Sequence, residues 1–172
     1  MLTAEQEEWL NHLSDTNIVS IIPFNPTSED KFLKVKTLVQ ALLGPDQLVR
    51  HCGSSSFGIS GQDEIDIFIP TSLDKFEQTV ELMKQLFGQP KSNYHLRRVR
   101  FMTEIDGKHV DVFVINESSD DWQNSLKFET ILKDRPEILE RYKTLKEKQS
   151  GQNVREYYRQ KIEFINEVLG KN

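Results

Sequence analysis

The residues of this chain best suited to chemistry are three carboxylates, Glu64, Asp66 and Asp111, each set in an alternating apolar run. Residues 63–69 read DEIDIFI and residues 109–115 read HVDVFVI. Successive side chains of a strand point to opposite faces. One face of the first run therefore carries Ile65, Ile67 and Ile69, and the other Glu64, Asp66 and Phe68. In the second, Val110, Val112 and Val114 oppose His109, Asp111, Phe113 and Ile115. Two carboxylates side by side repel each other unless a cation lies between them, and hard oxygen ligands suit Mg2+ or Mn2+. With Asp111 from a neighbouring strand, the three acids form a cradle for one or two divalent ions. Two metals about 3.5–4 Å apart can activate an attacking oxygen and stabilise a leaving pyrophosphate. The spacing thus points to phosphoryl-group chemistry, in which charge neutralisation and positioning dominate.

Upstream, Gly53 and Ser54 follow a short apolar segment and offer backbone N–H groups and a hydroxyl to phosphate oxygens. Downstream, Asp106-Gly107 is a strong hairpin signal, because a two-residue type I′ turn needs positive φ at both positions. That turn pairs Ile105 with Lys108, Met102 with Asp111, Arg100 with Phe113 and Arg98 with Ile115. Opposed residues share a face, so Arg98 and Arg100 fall on the carboxylate side and are candidates to hold substrate phosphates. Each feature also has a plainer reading. Glu64 and Asp66 could be solvated on an open sheet face, and Gly53-Ser54 could be only a turn. Arg98 and Arg100 could simply balance the acids. His51 and His109 read as structural or as supports of the ligands. The pairs Tyr142/Lys146 and Tyr157/Lys161, and Trp9 and Trp122, read as packing.

The elements that must position these groups are legible from periodicity. Helices are expected at 3–13, with Thr3 and Gln6 as a capping box, at 29–43, with Phe32, Val35, Leu38, Val39 and Leu42 as its apolar stripe, and at 72–87, with Leu73, Phe76, Val80, Met83 and Phe87. Strands are expected at 18–22, 47–52, 63–69, 95–105 and 109–115. Helices follow at about 120–133, 136–148 and 153–169. The fold class is α/β (α+β): a mixed twisted sheet with helices on one face over residues 1–119, then a small helical C-terminal segment at 120–172. The chain has 172 residues, net charge −5 and one cysteine. That excludes an intramolecular disulfide and a cysteine-rich zinc site, and argues against strong duplex DNA binding. The acidic N-terminus is unlike a signal peptide, and no run approaches a membrane span, so a cytoplasmic protein is expected.

Cys52-Gly53-Ser54, nine residues, then Glu64-Ile65-Asp66-Ile67 resembles the nucleotidyltransferase superfamily signature, with Asp111 where that superfamily places a third acid. The Glu-then-Asp order is similar to archaeal CCA-adding enzymes over residues 50–115. A longer resemblance, from residue 20 onward, is to the GrpB family. IIPFNP at 21–26, HCGSS at 51–55, FETILKDRPE at 128–137, Tyr142, Leu145-Lys146, and Tyr157 with Lys161 and Phe164-Ile165 follow its motifs in order. Many members of that family keep only the second acid of the pair, whereas this chain has both and Asp111. The resemblance implies a nucleotidyltransferase-like core. The expected activity is metal-dependent transfer of a nucleoside monophosphate from a nucleoside triphosphate to a small-molecule, RNA or protein acceptor. Glu64, Asp66 and Asp111 would be catalytic metal ligands, and Gly53, Ser54, Arg98 and Arg100 would bind the nucleotide. The alternative is a non-catalytic GrpB-like module that binds a nucleotide or a partner.

Overall fold

A computed structural model describes residues Met1–Lys171. In chain order the elements are α1 (Ala4–Asn11), α2 (Ser28–Leu43), β1 (Arg50–Cys52), α3 (Gly53–Ser56), β2 (Glu64–Thr71), α4 (Phe76–Phe87), β3 (Ser92–Tyr94), β4 (Arg98–Ile105), β5 (Lys108–Asn116), α5 (Asp120–Asp134), α6 (Pro136–Lys148) and α7 (Val154–Leu169). They divide between two compact units. One comprises residues 24–59 and 63–123; the other comprises residues 1–23, 60–62 and those from 124 onward.

The first unit is built on a five-stranded mixed sheet of order β1-β2-β5-β4-β3. β2 and β5 pair in parallel, and the other neighbours are antiparallel. The alternation in the sequence dictates the layering. Ile65, Ile67, Ile69, Val110, Val112, Val114, Val99 and Phe101 form one fully buried apolar face. Phe32, Val35 and Val39 of α2 and Phe76, Val80 and Met83 of α4 pack in the same cluster. Burying each such side chain stabilises the fold by about 1.5–3 kcal/mol before chain entropy is counted. The opposite face is left to carry polar chemistry. Between β4 and β5 the turn has φ 50° at Asp106 and 74° at Gly107, the two positive values a type I′ turn requires. The observed register pairs Ile105 with Lys108, Met102 with Asp111, Arg100 with Phe113 and Arg98 with Ile115, as the hairpin signal predicts.

Several expectations are corrected. Residues 18–22 form no strand; Ile18 and Ile22 make only isolated bridges, to Asn153 and Gly61. The Val19 backbone is met by the loop before α7, through Val19 N–H to Gln152 O and Gly151 N–H to Val19 O, and the Ile22 backbone by Gly61. Pro23 stops the run from growing into a ladder. The strand expected at 47–52 is shorter, and the one expected at 95–105 begins at Arg98 after a turn in which Leu96 has φ 54°. The polar edge strand β3 has no alternation to reveal it. Leu38 is 46% exposed on the outer side of α2. Leu73 is 53% exposed, because it lies in a 3-10 turn before α4, where the helical period does not extend.

The second unit is helical. Thr3 and Gln6 form the capping box of α1, with Gln6 N–H to Thr3 Oγ1 at 3.2 Å and Thr3 N–H to Gln6 Oε1 at 2.9 Å. Pro136 opens α6, and the Asn153 side chain caps α7 by accepting from the Glu156 N–H at 2.9 Å. Phe128, Tyr142 and Phe164 form a ring cluster, with centroids 5.4 Å apart for Phe128–Tyr142 and 5.5 Å for Tyr142–Phe164. Lys146 is buried with its Nζ over the Tyr142 ring, and Tyr157 is fully buried. These residues, which carry much of the C-terminal motif pattern, therefore pack the interior. No helix among the described residues is long and apolar enough to cross a membrane.

Candidate functional site

The polar face of the sheet is a grid fixed by register. One row runs Cys52, Asp66, Asp111, Met102 across β1, β2, β5 and β4. The next toward the start of β2 runs Glu64, His109, Glu104, and the next toward its end runs Arg50, Phe68, Phe113, Arg100, Ser92. Parallel pairing of β2 with β5 thus sets Asp66 beside Asp111 and Glu64 beside His109. The aromatic row closes the site on one side. Phe68 lies edge-on to Phe113 at 5.0 Å and to Trp122 at 6.0 Å, with the Arg50 guanidinium 5.6 Å over Trp122.

Within this grid, ligand atoms of Glu64, His109 and Asp111 all lie within 4.8 Å of one another. Asp111 is 6% exposed. Its Oδ1 accepts from Arg100 Nε at 2.9 Å and lies 3.1 Å from His109 Nε2. Arg100 is not opposite Asp111 but diagonal to it, a separation that a long side chain can span. Asp66 occupies the other flank, against Gly53. A Cβ placed on Gly53 would stand 2.2 Å from Asp66 Oδ2, and Gly53 has φ +70°. Only glycine satisfies both demands, the left-handed backbone and the close approach. Ser54 is the next residue of the same short turn, and its carbonyl accepts from the Phe57 and Ile59 N–H groups. The turn carrying Gly53 and Ser54 is therefore pinned beside the acids.

The donor set fits a divalent cation: carboxylate oxygens suit Mg2+ or Mn2+, and an imidazole is compatible with Mn2+ and softer ions. The other sequence-derived residue, Arg98, is placed differently. Its guanidinium lies 5.4 Å from the Tyr94 ring centroid and 5.8 Å from that of Phe113, and its buried Nε has no hydrogen-bond partner. Arg98 therefore shares the face with Arg100 but is held by aromatic rings, not by the acids.

Three further features surround the site. His51 stacks on Phe32 at 4.9 Å, with Nδ1 2.9 Å from Glu29 Oε2 and Nε2 2.9 Å from Ser55 Oγ, which ties α2, β1 and α3 together behind the Gly53 turn. His109 stands among the ligand atoms themselves; its parity with Asp111 was the available signal. Lys108 is buried and ion-paired with Asp63, joining the starts of β5 and β2 next to His109 and Glu64. Burial, and then the nearby Lys31 charge, holds the Lys108 ammonium below the ordinary lysine value.

Comparisons with known proteins agree with this architecture. The profile of a family described as GrpB protein matches residues 18–171. A UPF0157 protein of Vibrio cholerae is 27% identical over 150 residues, covering 86% of this chain and 79% of that protein. The crystal structure of a conserved GrpB protein from Enterococcus faecalis superposes with a TM-score of 0.67, covering 88% of this chain and 98% of the other at 18% identity. At that identity the likeness is one of fold.

Proposed function

This chain belongs to the GrpB family, and on that premise we propose that the acidic face of its sheet is a metal-dependent nucleotidyltransferase site. It would transfer a nucleoside monophosphate from a nucleoside triphosphate to a hydroxyl or phosphate acceptor, in a cytoplasmic setting. The observation that carries the reading is the parallel register that sets Asp66 beside Asp111, with Gly53 packed directly against Asp66. Glu64, Asp111 and His109, whose ligand atoms converge, would hold Mg2+ or Mn2+, with Asp66 beside Asp111 as the third carboxylate. The ion would supply charge neutralisation at the phosphates and lower the pKa of a coordinated oxygen nucleophile. The Gly53-Ser54 turn would receive the triphosphate, where the missing Cβ allows backbone to approach an anion. Arg100 would bind phosphate oxygens from the β4 side, Arg98 standing on the same face between Tyr94 and Phe113, and Asp111 would also accept the acceptor's proton.

One observation favours a second reading, a non-catalytic module that binds a nucleotide or a partner. Asp111 already has a cationic partner in Arg100, so the buried carboxylate is compensated without a metal. Calorimetry with each nucleoside triphosphate in Mg2+ or Mn2+, followed by assay of pyrophosphate release, separates the two. Metal-dependent binding with pyrophosphate release, both lost in Asp66→Ala, supports the transferase. Binding without turnover supports the module. Binding that needs no metal and is unchanged in Asp66→Ala removes the transferase reading.

A further inference from the structure

We propose that Arg100 is a resident counter-ion that competes with divalent metal for Asp111, and that the phosphates of a nucleotide draw it away to open the metal site. The inference rests on the metal-site reading above and gives that site an order of events.

The Asp111 carboxylate is buried and stands beside Asp66 and in the same cluster as Glu64. A buried carboxylate among like charges requires a compensating cation. Arg100 supplies it through Nε, 2.9 Å from Oδ1. The same Oδ1 is approached by His109 Nε2 at 3.1 Å, so one oxygen of Asp111 is committed to two nitrogen groups. A metal ion seated on that oxygen must displace at least one of them. Arg100 is the one able to leave. Its side chain is 38% exposed, and its terminal nitrogens have no hydrogen-bond partner among the described residues. Those nitrogens form a fork whose geometry suits phosphate. Arg98 sits two residues away on the same face, but Tyr94 and Phe113 hold it and no carboxylate pairs with it among the described residues. The pair therefore divides its work: Arg98 is anchored among rings, while Arg100 exchanges one anion for another.

The consequence is a signature of opposite signs. Removing the guanidinium frees Asp111 for metal, so metal alone binds more tightly. The same change removes a phosphate ligand, so nucleotide alone binds more weakly. A charge-assisted hydrogen bond of this kind corresponds to roughly a ten- to hundredfold change in each constant.

The test compares wild type, Arg100→Gln, Arg100→Lys and Arg98→Gln. Mn2+ affinity is read without nucleotide by the loss of the free-ion paramagnetic resonance signal. ATP affinity is read by calorimetry in excess EDTA. Far-UV circular dichroism and thermal melting establish that each variant is folded. The expected result is tighter Mn2+ and weaker metal-free ATP for Arg100→Gln, an intermediate Arg100→Lys, and Mn2+ affinity unchanged in Arg98→Gln. Equal or weaker Mn2+ binding in Arg100→Gln, with Mn2+ bound to the wild type, overturns the inference and leaves the metal site standing. Tighter Mn2+ with unchanged metal-free ATP affinity overturns the exchange with phosphate. Absence of Mn2+ binding in both wild type and Arg100→Gln, with and without ATP, overturns the metal-site reading itself.

Discussion

Replacing Gly53 with alanine probes the contact that joins the Gly53-Ser54 turn to the acids. The new Cβ would meet Asp66 Oδ2 at 2.2 Å and Cγ at 3.1 Å, and the residue would have to hold φ +70°. The left-handed backbone alone costs a non-glycine residue about 1–2 kcal/mol. Relieving the overlap requires Asp66 to turn away from its rotamer, for roughly 0.5–1.5 kcal/mol more, before any lost hydrogen bond is counted. The sum is about 1.5–3.5 kcal/mol. At about 2–4 °C per kcal/mol for a chain of this size, the melting temperature should fall by on the order of 10 °C. The assay is a double-mutant cycle in urea with Asp66→Ala as the second change. In that background the oxygen is gone, and the cost of Gly53→Ala should drop to about 1–2 kcal/mol, the backbone part. An equal cost in both backgrounds, within about 0.5 kcal/mol, would show that Gly53 and Asp66 are not in contact.

Further expectations concern the supports of the site and of the helices. Lys108 is held below its ordinary value by burial, so between its folded value and 10.5 the unfolded chain binds more protons than the folded one. Stability contributed through this group should therefore rise with pH across that window. Lys108→Met should remove the rise, and urea denaturation of both proteins at neutral and alkaline pH checks it. Arg97 grips Asp121 with two parallel hydrogen bonds of 2.9 Å each. Arg97→Lys, which cannot form the fork, should cost about 1 kcal/mol or less, given the exposure of the pair, as read by urea titration. Asn153→Ala deletes the cap of α7 and should cost about 1 kcal/mol, read by thermal melting.

Much of the sheet unit follows from local rules. Parity alone placed Glu64 and Asp66 on one face, and the two-residue turn at Asp106-Gly107 fixed every pair of β4 with β5. Both are short-range signals in which a slip of one residue would bury charge. What escaped are contacts made across the chain by side chains of ambiguous role. Glu29, His51 and Ser55 meet only because α2 docks against β1, and no spacing announces it. The Arg100–Asp111 pair is diagonal, so the register gives the face but not the partner. The run 18–22 has β-forming composition, yet strand formation needs a neighbouring edge. Its backbone is met instead in separate places, by the loop at 151–153 and by Gly61. Leu73 shows the same limit at a helix start, where an apolar residue in phase with α4 precedes the α-helical turn.

The central claim is that Asp66 and Asp111, side by side across β2 and β5, bind a divalent ion against a nucleoside triphosphate. The most direct measurement is an anomalous difference map at the manganese edge from a crystal grown with Mn2+ and a non-hydrolysable nucleoside triphosphate. The expected result is a peak about 2.1 Å from carboxylate oxygens of both residues, with the phosphates lying along the Gly53-Ser54 turn. A triphosphate bound elsewhere, or bound at this face with no manganese on Asp66 and Asp111, would contradict it.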